Sequence, residues 1–501
     1  MAGQFEQAVV RLPPTSSPAT VRLIGGIGAR RPRNIAKNEK MTASIKRFYR
    51  FRPPQILPDK SVADELRARE LYLGTLEQNN DPMDGMQDAY WEGDDVVWGN
   101  LIRHYCFCML NAAYFVRMAG DSTLFELDHV FARATPDDLP DAPIRQLFRE
   151  FVDAVNADGT IRGLLAMLVD RKRLAKDELR LLLGMYHPRI LTLLRETFRR
   201  NGHTDFMLGL ELNKSPASLP DFEAVVRQTD SHVLSALAGA AEQASRQMQL
   251  IGMYKHIHPS SEQRTAKKNL LTLIGNFHAL YLDACVKAIY DEYYIACFTE
   301  RNDNESMWGH YASGHRGVCL IFEFDEREGQ LEMDMEESMR LALHRVQYSP
   351  YPPQVNVFES LGYLPQASLH KHWLSLDERV SPLACTYSSS EYRSSYWRVY
   401  ADTISHKFPE WEREHEYRVV KSAWFSGRNS DSDKLMHYKE KHLKGIIFGM
   451  RTPVDLQLQI MEALDASLTS TQKAAFEFHI ARYCTVKKAL EISRLDLVKF
   501  V

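Results

Sequence analysis

The chain reads as an α+β protein whose β-containing core is interrupted by a long run of helix. Three observations predict this. Short extended segments bounded by Pro, Gly and Asn occupy residues 46–99 and return over 291–501. Residues 100–290 instead carry apolar side chains three and four apart, the period of an amphipathic helix. At 501 residues the chain is also too long for one small domain.

The segments follow in order. Residues 1–45 are rich in Pro, Gly and Arg and show no sustained period, so a disordered or misassigned extension is expected, with Met41 as an alternative start. Residues 46–99 form the first part of the β core: a strand in IKRFYRF, a helix in SVADELRARE and a strand in LYLGTL. Ser61 is the expected N-cap of that helix, with Asp64 completing a capping-box variant. NNDPMDG is dense in turn formers and ends the unit. Residues 100–290 are expected to be a helical bundle insertion, with no repeat of fixed period. Residues 291–501 complete the β core: strands in IACFT, GVCLIFEF, RVQYSPYPP, EHEYRVVKSAWF and KGIIFGM, helix over 358–404, a helix near 454–482 and a final strand pair in KKALEISRLDLVKFV.

Composition narrows the function classes. A net charge of −3, from 62 basic and 65 acidic residues, offers no overall field toward nucleic acid or membrane. No stretch reaches the roughly 18 apolar residues of a membrane span. The seven Cys are an odd number without a CxxC pair, which predicts reduced thiols and a cytoplasmic location. No phosphate loop, GxGxxG or HExxH occurs. His256 and His258 form an H-x-H without a third ligand at motif spacing, and His310 and His315 lie five apart, off a common helix face, so no metal is predicted.

The chemistry-bearing stretches are CFTERNDNESMWGHYASGHRGV and WEREHEYRVV. In an extended chain the second places Glu412, Glu414 and Glu416 on one face by period-2 alternation. Buried there, they repel one another and need partners, with Lys407 and Arg418 nearby. The plain alternative is a solvated, charged edge strand. Trp308, Tyr311 and Ala312 share one face of a two-turn helix, which fits core packing as well as a stacking platform. Asn80 and Asp81 belong first to a turn.

With FYRF, NNDPMD and IIFG these motifs resemble, in order, a bacterial family known as domain of unknown function 2971, over about residues 46–85 and 293–500. The order of elements is in turn similar to ADP-ribosyltransferases, which grip NAD in a split β-sheet core. That resemblance implies a cleft with Glu416 stabilising the ribosyl cation, Glu414 serving the acceptor and Thr299 orienting the glutamate. It further implies pyrophosphate contact from Arg50 and cofactor contacts from Tyr49, Trp308, His310 and Tyr311. The chain shows one hydroxyl, Thr299, where the resemblance expects a Ser-Thr-Ser triplet. The function expected is NAD-dependent ADP-ribosyl transfer or NAD hydrolysis, as a toxin-like or phage-defence effector, with NAD as substrate and an unknown protein or nucleic-acid acceptor. Two alternatives stand beside it. One is a non-catalytic sensor or interaction module whose helical segment binds a protein partner. The other is a Mg²⁺-dependent nuclease, which requires Asp81, Asp84 and the glutamates to converge.

Overall fold

The structure is a computed structural model that describes residues 45–119, 122–203, 226, 228–254, 261–290, 293–327, 329–336, 338–422 and 434–500. Residues 1–44 of the expected N-terminal extension, the H-x-H at 256 and 258 and the AWF end of one expected strand lie outside these residues.

The chain opens with β1 (Ile45–Arg52) and α1 (Val62–Ala68). Ser61 caps α1 as its sequence predicts. Its hydroxyl accepts from the Asp64 amide at 3.3 Å and the Asp64 carboxylate accepts from the Ser61 amide at 3.0 Å. The helical segment follows as α2 (Asp95–Ala119), α3 (Ala142–Ala157), α4 (Gly159–Arg171), α5 (Lys176–Arg200), α6 (Ser231–Tyr254), α7 (Ser261–Gly275) and α8 (Phe277–Ala288). Over its first five turns α2 is apolar nearly all round, and it is buried from Val96 to Ala113 at the centre of the bundle.

The bundle is not closed on itself. Val355, Phe358, Leu369 and Trp373 belong to the same apolar cluster as Trp98, Tyr105 and Tyr186. A small sheet stitches them together, with 354–356 parallel to 88–92 and 173–175 antiparallel on the other side. Part of the 291–501 segment therefore packs with the helices rather than with the sheet.

The main sheet has nine strands. After β1 come β2 (Tyr293–Thr299), β3 (Val318–Arg327), β4 (Gln330–Asp334), β5 (Arg340–Arg345), β6 (Glu416–Ser422), β7 (Leu443–Phe448), β8 (Glu477–Cys484) and β9 (Ala489–Arg494). Their order is β1-β2-β6-β5-β4-β3-β7-β8-β9, and β1 also pairs with β3 along its length, from Ile45↔Asp325 to Arg52↔Val318. The first six strands thus close a ring of pairings.

Register sorts the side chains into two faces, because directly opposite residues point the same way. Tyr49, Thr299 and Glu416 form one row. Phe48, Phe298 and Tyr417 fall on the opposite face, in the apolar cluster that includes α1 residues Val62 and Leu66. On the Tyr49 face, Phe51, Cys319 and Ile321 are covered by α9 (Glu305–His310), capped by the Asn304 side chain. Trp308 of α9 is fully buried, edge-on to Phe51 at 5.0 Å, with its indole N–H donating to the Asn302 carbonyl at 2.8 Å.

Three elements differ from expectation, the first being the helix over 358–404, which a short hairpin of Ser375–Leu376 with Arg379–Val380 interrupts. The segment 409–414 is a 3₁₀ turn rather than strand: Pro409 opens it, His415 closes it with φ 45°, and β6 begins only at Glu416. The helix expected near 454–482 ends earlier, with α10 at Val454–Ser467 and a short turn of helix at Ser470–Ala475. Residues 477–484 are β8, whose parallel pairing with β7 uses α10 as its crossover. The final strand pair is consequently β8–β9.

Gly317 shows how tightly β1 and the α9–β3 loop approach. A Cβ there would lie 2.1 Å from the Arg52 carbonyl oxygen. Gly317→Ala is expected to destabilise the fold by about 2–3 kcal/mol, as measured by chemical denaturation, because backbone rather than a movable side chain must give way.

Candidate functional site

The site grows from the kink before β6. Because His415 leaves extended geometry, Glu412 turns to solvent while Glu414 and Glu416 both become buried. The three glutamates therefore do not share a strand face as alternation predicts. A two-residue strand, His406–Lys407, pairs parallel with Gln347–Tyr348 and brings Lys407 beside them.

The Lys407 ammonium donates to Glu414 Oε2 at 2.6 Å and to Glu416 Oε2 at 2.9 Å. The other oxygen of Glu414 accepts from the Tyr311 hydroxyl at 2.8 Å. The other oxygen of Glu416 accepts from Arg418 Nε at 2.8 Å. Arg418 is completely buried and grips both oxygens of Asp84, at 2.8 and 2.7 Å. The result is a buried chain of alternating charge: Asp84, Arg418, Glu416, Lys407, Glu414.

The two glutamates differ in electrostatics. Burial alone would raise Glu416, but the Arg418 guanidinium and the Lys407 ammonium overcome it and hold the carboxyl down at about 2. Glu414 has only Lys407 as a cationic partner; burial wins, and its pKa is raised above the ordinary value of 4.5. Burial, with Glu414 alongside, likewise raises the Tyr311 hydroxyl. Lys407 moves upward despite burial because two carboxylates face it.

Glu414 is the member of this chain that lines a cleft of about 690 Å³, together with Asn304, His310, Trp411, Arg413 and His415. The buried Lys407 ammonium lies over the ring of Trp411, 4.6 Å from its centroid, and Trp411 also lines the cleft. A neighbouring cleft of about 470 Å³ shares Asn304, Ser306, Arg413 and His415.

The structure unites several of the residues the sequence singles out and separates others. Glu414, Glu416, Tyr311 and Thr299 converge, and His310 lines the cleft. The Thr299 hydroxyl donates to the Glu414 backbone carbonyl at 2.7 Å, so it holds the main chain rather than a carboxylate. Tyr49 is half-buried in the same register row. Trp308 is core packing, stacked parallel to His315 at 5.6 Å. Arg50 does not reach the cleft: one residue from Tyr49, it points to the opposite face and donates to the Tyr72 carbonyl at 2.6 Å. Asp84 does join the glutamates, but around a guanidinium. Asp81 instead accepts from the Met83 amide within its own turn at 2.9 Å.

The sequence marks neither Trp411 nor Arg413 as a site residue, although both lie in the WEREHEYRVV motif, and alternation sets Arg413 and His415 on the face away from the glutamates, whereas both line the cleft beside Glu414. Among the described residues Asp325, Asp334 and His442 have the spacing of a cation site. Arg327 and Lys441 already neutralise both carboxylates, and both His442 ring nitrogens are engaged, by the Glu323 carbonyl and the Asp334 amide. That group is an ion-pair cluster at the β3–β4 end of the sheet.

Residues 307–419 match the model of a family described as protein of unknown function (DUF2971). No curated protein and no solved structure matches the chain. The matched segment is shorter than the motif resemblance suggests and leaves FYRF, NNDPMD and IIFG outside. It contains Tyr311, Lys407, Glu414, Glu416 and Arg418, but neither Asp84 nor Thr299.

Lys407→Met removes the cation shared by two buried carboxylates and is expected to cost about 3–5 kcal/mol in denaturant unfolding, with part recovered when Glu414→Gln is added. A second outcome concerns pH. Because Glu416 is depressed in the folded state, the stability it confers is complete above about pH 4.5 and is lost as pH falls from there toward 2. Unfolding of wild type and Glu416→Gln compared across that window should show the difference shrinking with acidity.

Proposed function

We propose that the chain cleaves the nicotinamide–ribose bond of NAD and passes the ribosyl group to water or to an acceptor nucleophile. The observation that carries this reading is one buried carboxyl, Glu414, that borders the cleft and is held there by Lys407, with Glu416 ionised behind it. Cleavage of a ribosyl bond passes through a cationic sugar that a carboxylate beside it stabilises. The sheet supports the resemblance to a split core, since β3 offers one edge jointly to β4 and β7. Trp411 supplies an aromatic wall suited to a flat nicotinamide ring.

In this proposal Glu414, not Glu416, is the catalytic residue, because it alone of the pair borders the cleft. As the C1′–N bond breaks, its electron pair passes to the nicotinamide nitrogen, and the positive charge moves onto the ribosyl group. The Glu414 carboxylate stabilises that charge. It then takes the proton of the attacking hydroxyl as the new O–C1′ bond forms, and releases it to solvent. Glu416 is a positioning residue that acts through Lys407, and the Tyr311 hydroxyl and Thr299 hold the Glu414 side chain and backbone. No metal takes part in this scheme.

A second reading has its own support. Both oxygens of Glu416 are spent on cations, as in a purely structural ion chain, which fits a non-catalytic sensor or interaction module.

Nicotinamide release from NAD separates the two. The proposal expects release by wild type, reduced by about 100-fold or more in Glu414→Gln with the fold intact. Activity should fall on acidification as Glu414 takes up a proton. A folded wild type that releases no nicotinamide, even with cell lysate as a source of acceptors, overturns the proposal in favour of the binding module.

A further inference from the structure

The sheet face opposite the glutamates holds a different electrostatic problem. Arg50 is only 5% exposed and spends one donor on the Tyr72 carbonyl. Its Nε and Nη1 groups have no partner, and neither does the hydroxyl of buried Tyr438. Its guanidinium lies over the Phe298 ring, 5.5 Å from the centroid. The carboxylate acting most strongly on Arg50 is Glu65, but both Glu65 oxygens are taken by Arg52 at 2.8 and 2.9 Å. The Tyr438 ring packs edge-on to Phe322 at 5.1 Å, and Phe322 packs edge-on to the same Phe298 at 5.5 Å, so the unsatisfied donors lie in one region of this face. Arg50 is thus left without a carboxylate of its own among the apolar side chains of this face, Phe48, Leu66 and Leu73 included.

A buried charge without a counter-charge is among the costliest features a fold can carry. Burial, followed by repulsion from Arg52, pulls Arg50 down only to about 10, so it keeps its proton at neutral pH. Water could accept from the free donors yet would leave the charge in place. A small anion answers both needs, accepting from Arg50 and Tyr438 while neutralising the guanidinium. We propose that Arg50 and Tyr438 bind a chloride-sized monovalent anion within the core, as a structural ligand. The inference is independent of the NAD reading.

Thermal unfolding of the full chain in rising chloride, with gluconate holding ionic strength constant, tests it. The expected result is a midpoint that climbs with chloride, the folded-to-unfolded ratio gaining about tenfold when chloride reaches roughly ten times its dissociation constant. Arg50→Met should abolish the dependence and exceed wild type in stability in chloride-free buffer. Tyr438→Phe should keep the dependence but shift it to higher chloride. Crystals grown in bromide should show an anomalous peak beside Arg50. A wild-type midpoint indifferent to chloride, or a chloride response that survives in Arg50→Met, overturns the proposal: the donors then bind water, or the ion acts elsewhere.

Discussion

One ammonium group organises the acidic half of this molecule. Lys407 lies between Glu414 and Glu416, and without it two buried carboxylates would face each other across a low-dielectric interior, where like charges repel far more strongly than in water. Its position depends on a two-residue strand pairing with Gln347–Tyr348, and it lies over the Trp411 ring. Beyond Glu416 the alternation continues through Arg418 to Asp84. Glu414 stands at one end of the chain with Lys407 as its cationic partner, and there burial outweighs that partner and raises its pKa. The carboxyl with the raised pKa is also the one bordering the cleft.

The ring of strands makes this separation possible. Each strand sends alternate side chains to opposite faces, and the face shared with α1 and α10 is apolar apart from Arg50 and the Arg52–Glu65 pair. The other face is divided between an apolar patch under α9 and the charge chain beneath the 3₁₀ turn. His415, in left-handed geometry, joins the two regimes: before it the chain is a turn that frames the cleft, and after it the chain is the strand that buries Arg418. The backbone hydrogen bond of Glu416 to the Tyr348 hydroxyl, 2.9 Å, ties that junction to the strand that carries Lys407's partner.

How much of this is legible in the sequence depends on distance along the chain. The α1 cap is fully legible, since Ser61 and Asp64 satisfy each other three residues apart. The helical run is legible by its period. The glutamate motif marks the right place but suggests the wrong geometry, because Pro409 outweighs period-2 alternation in deciding the backbone. Arg50 shows how unforgiving strand parity is: a shift of one residue from Tyr49 sends it through the sheet. The contact between Asp84 and Arg418 spans 334 positions, and nothing in either local motif announces the other. Residues 477–484 could be read as helix because their strand character rests on pairing with β7, a tertiary fact.

A direct measurement of the two carboxyls bears on all of this. Carbon-13 labelling of the glutamate carboxyls, followed by NMR titration with Glu414→Gln and Glu416→Gln for assignment, reads each proton separately. The charge chain requires the Glu414 resonance to titrate above 4.5 while that of Glu416 stays ionised down to about 2. Two resonances titrating together near 4.5, or in the reverse order, would contradict the arrangement around Lys407 and the chemistry built on it.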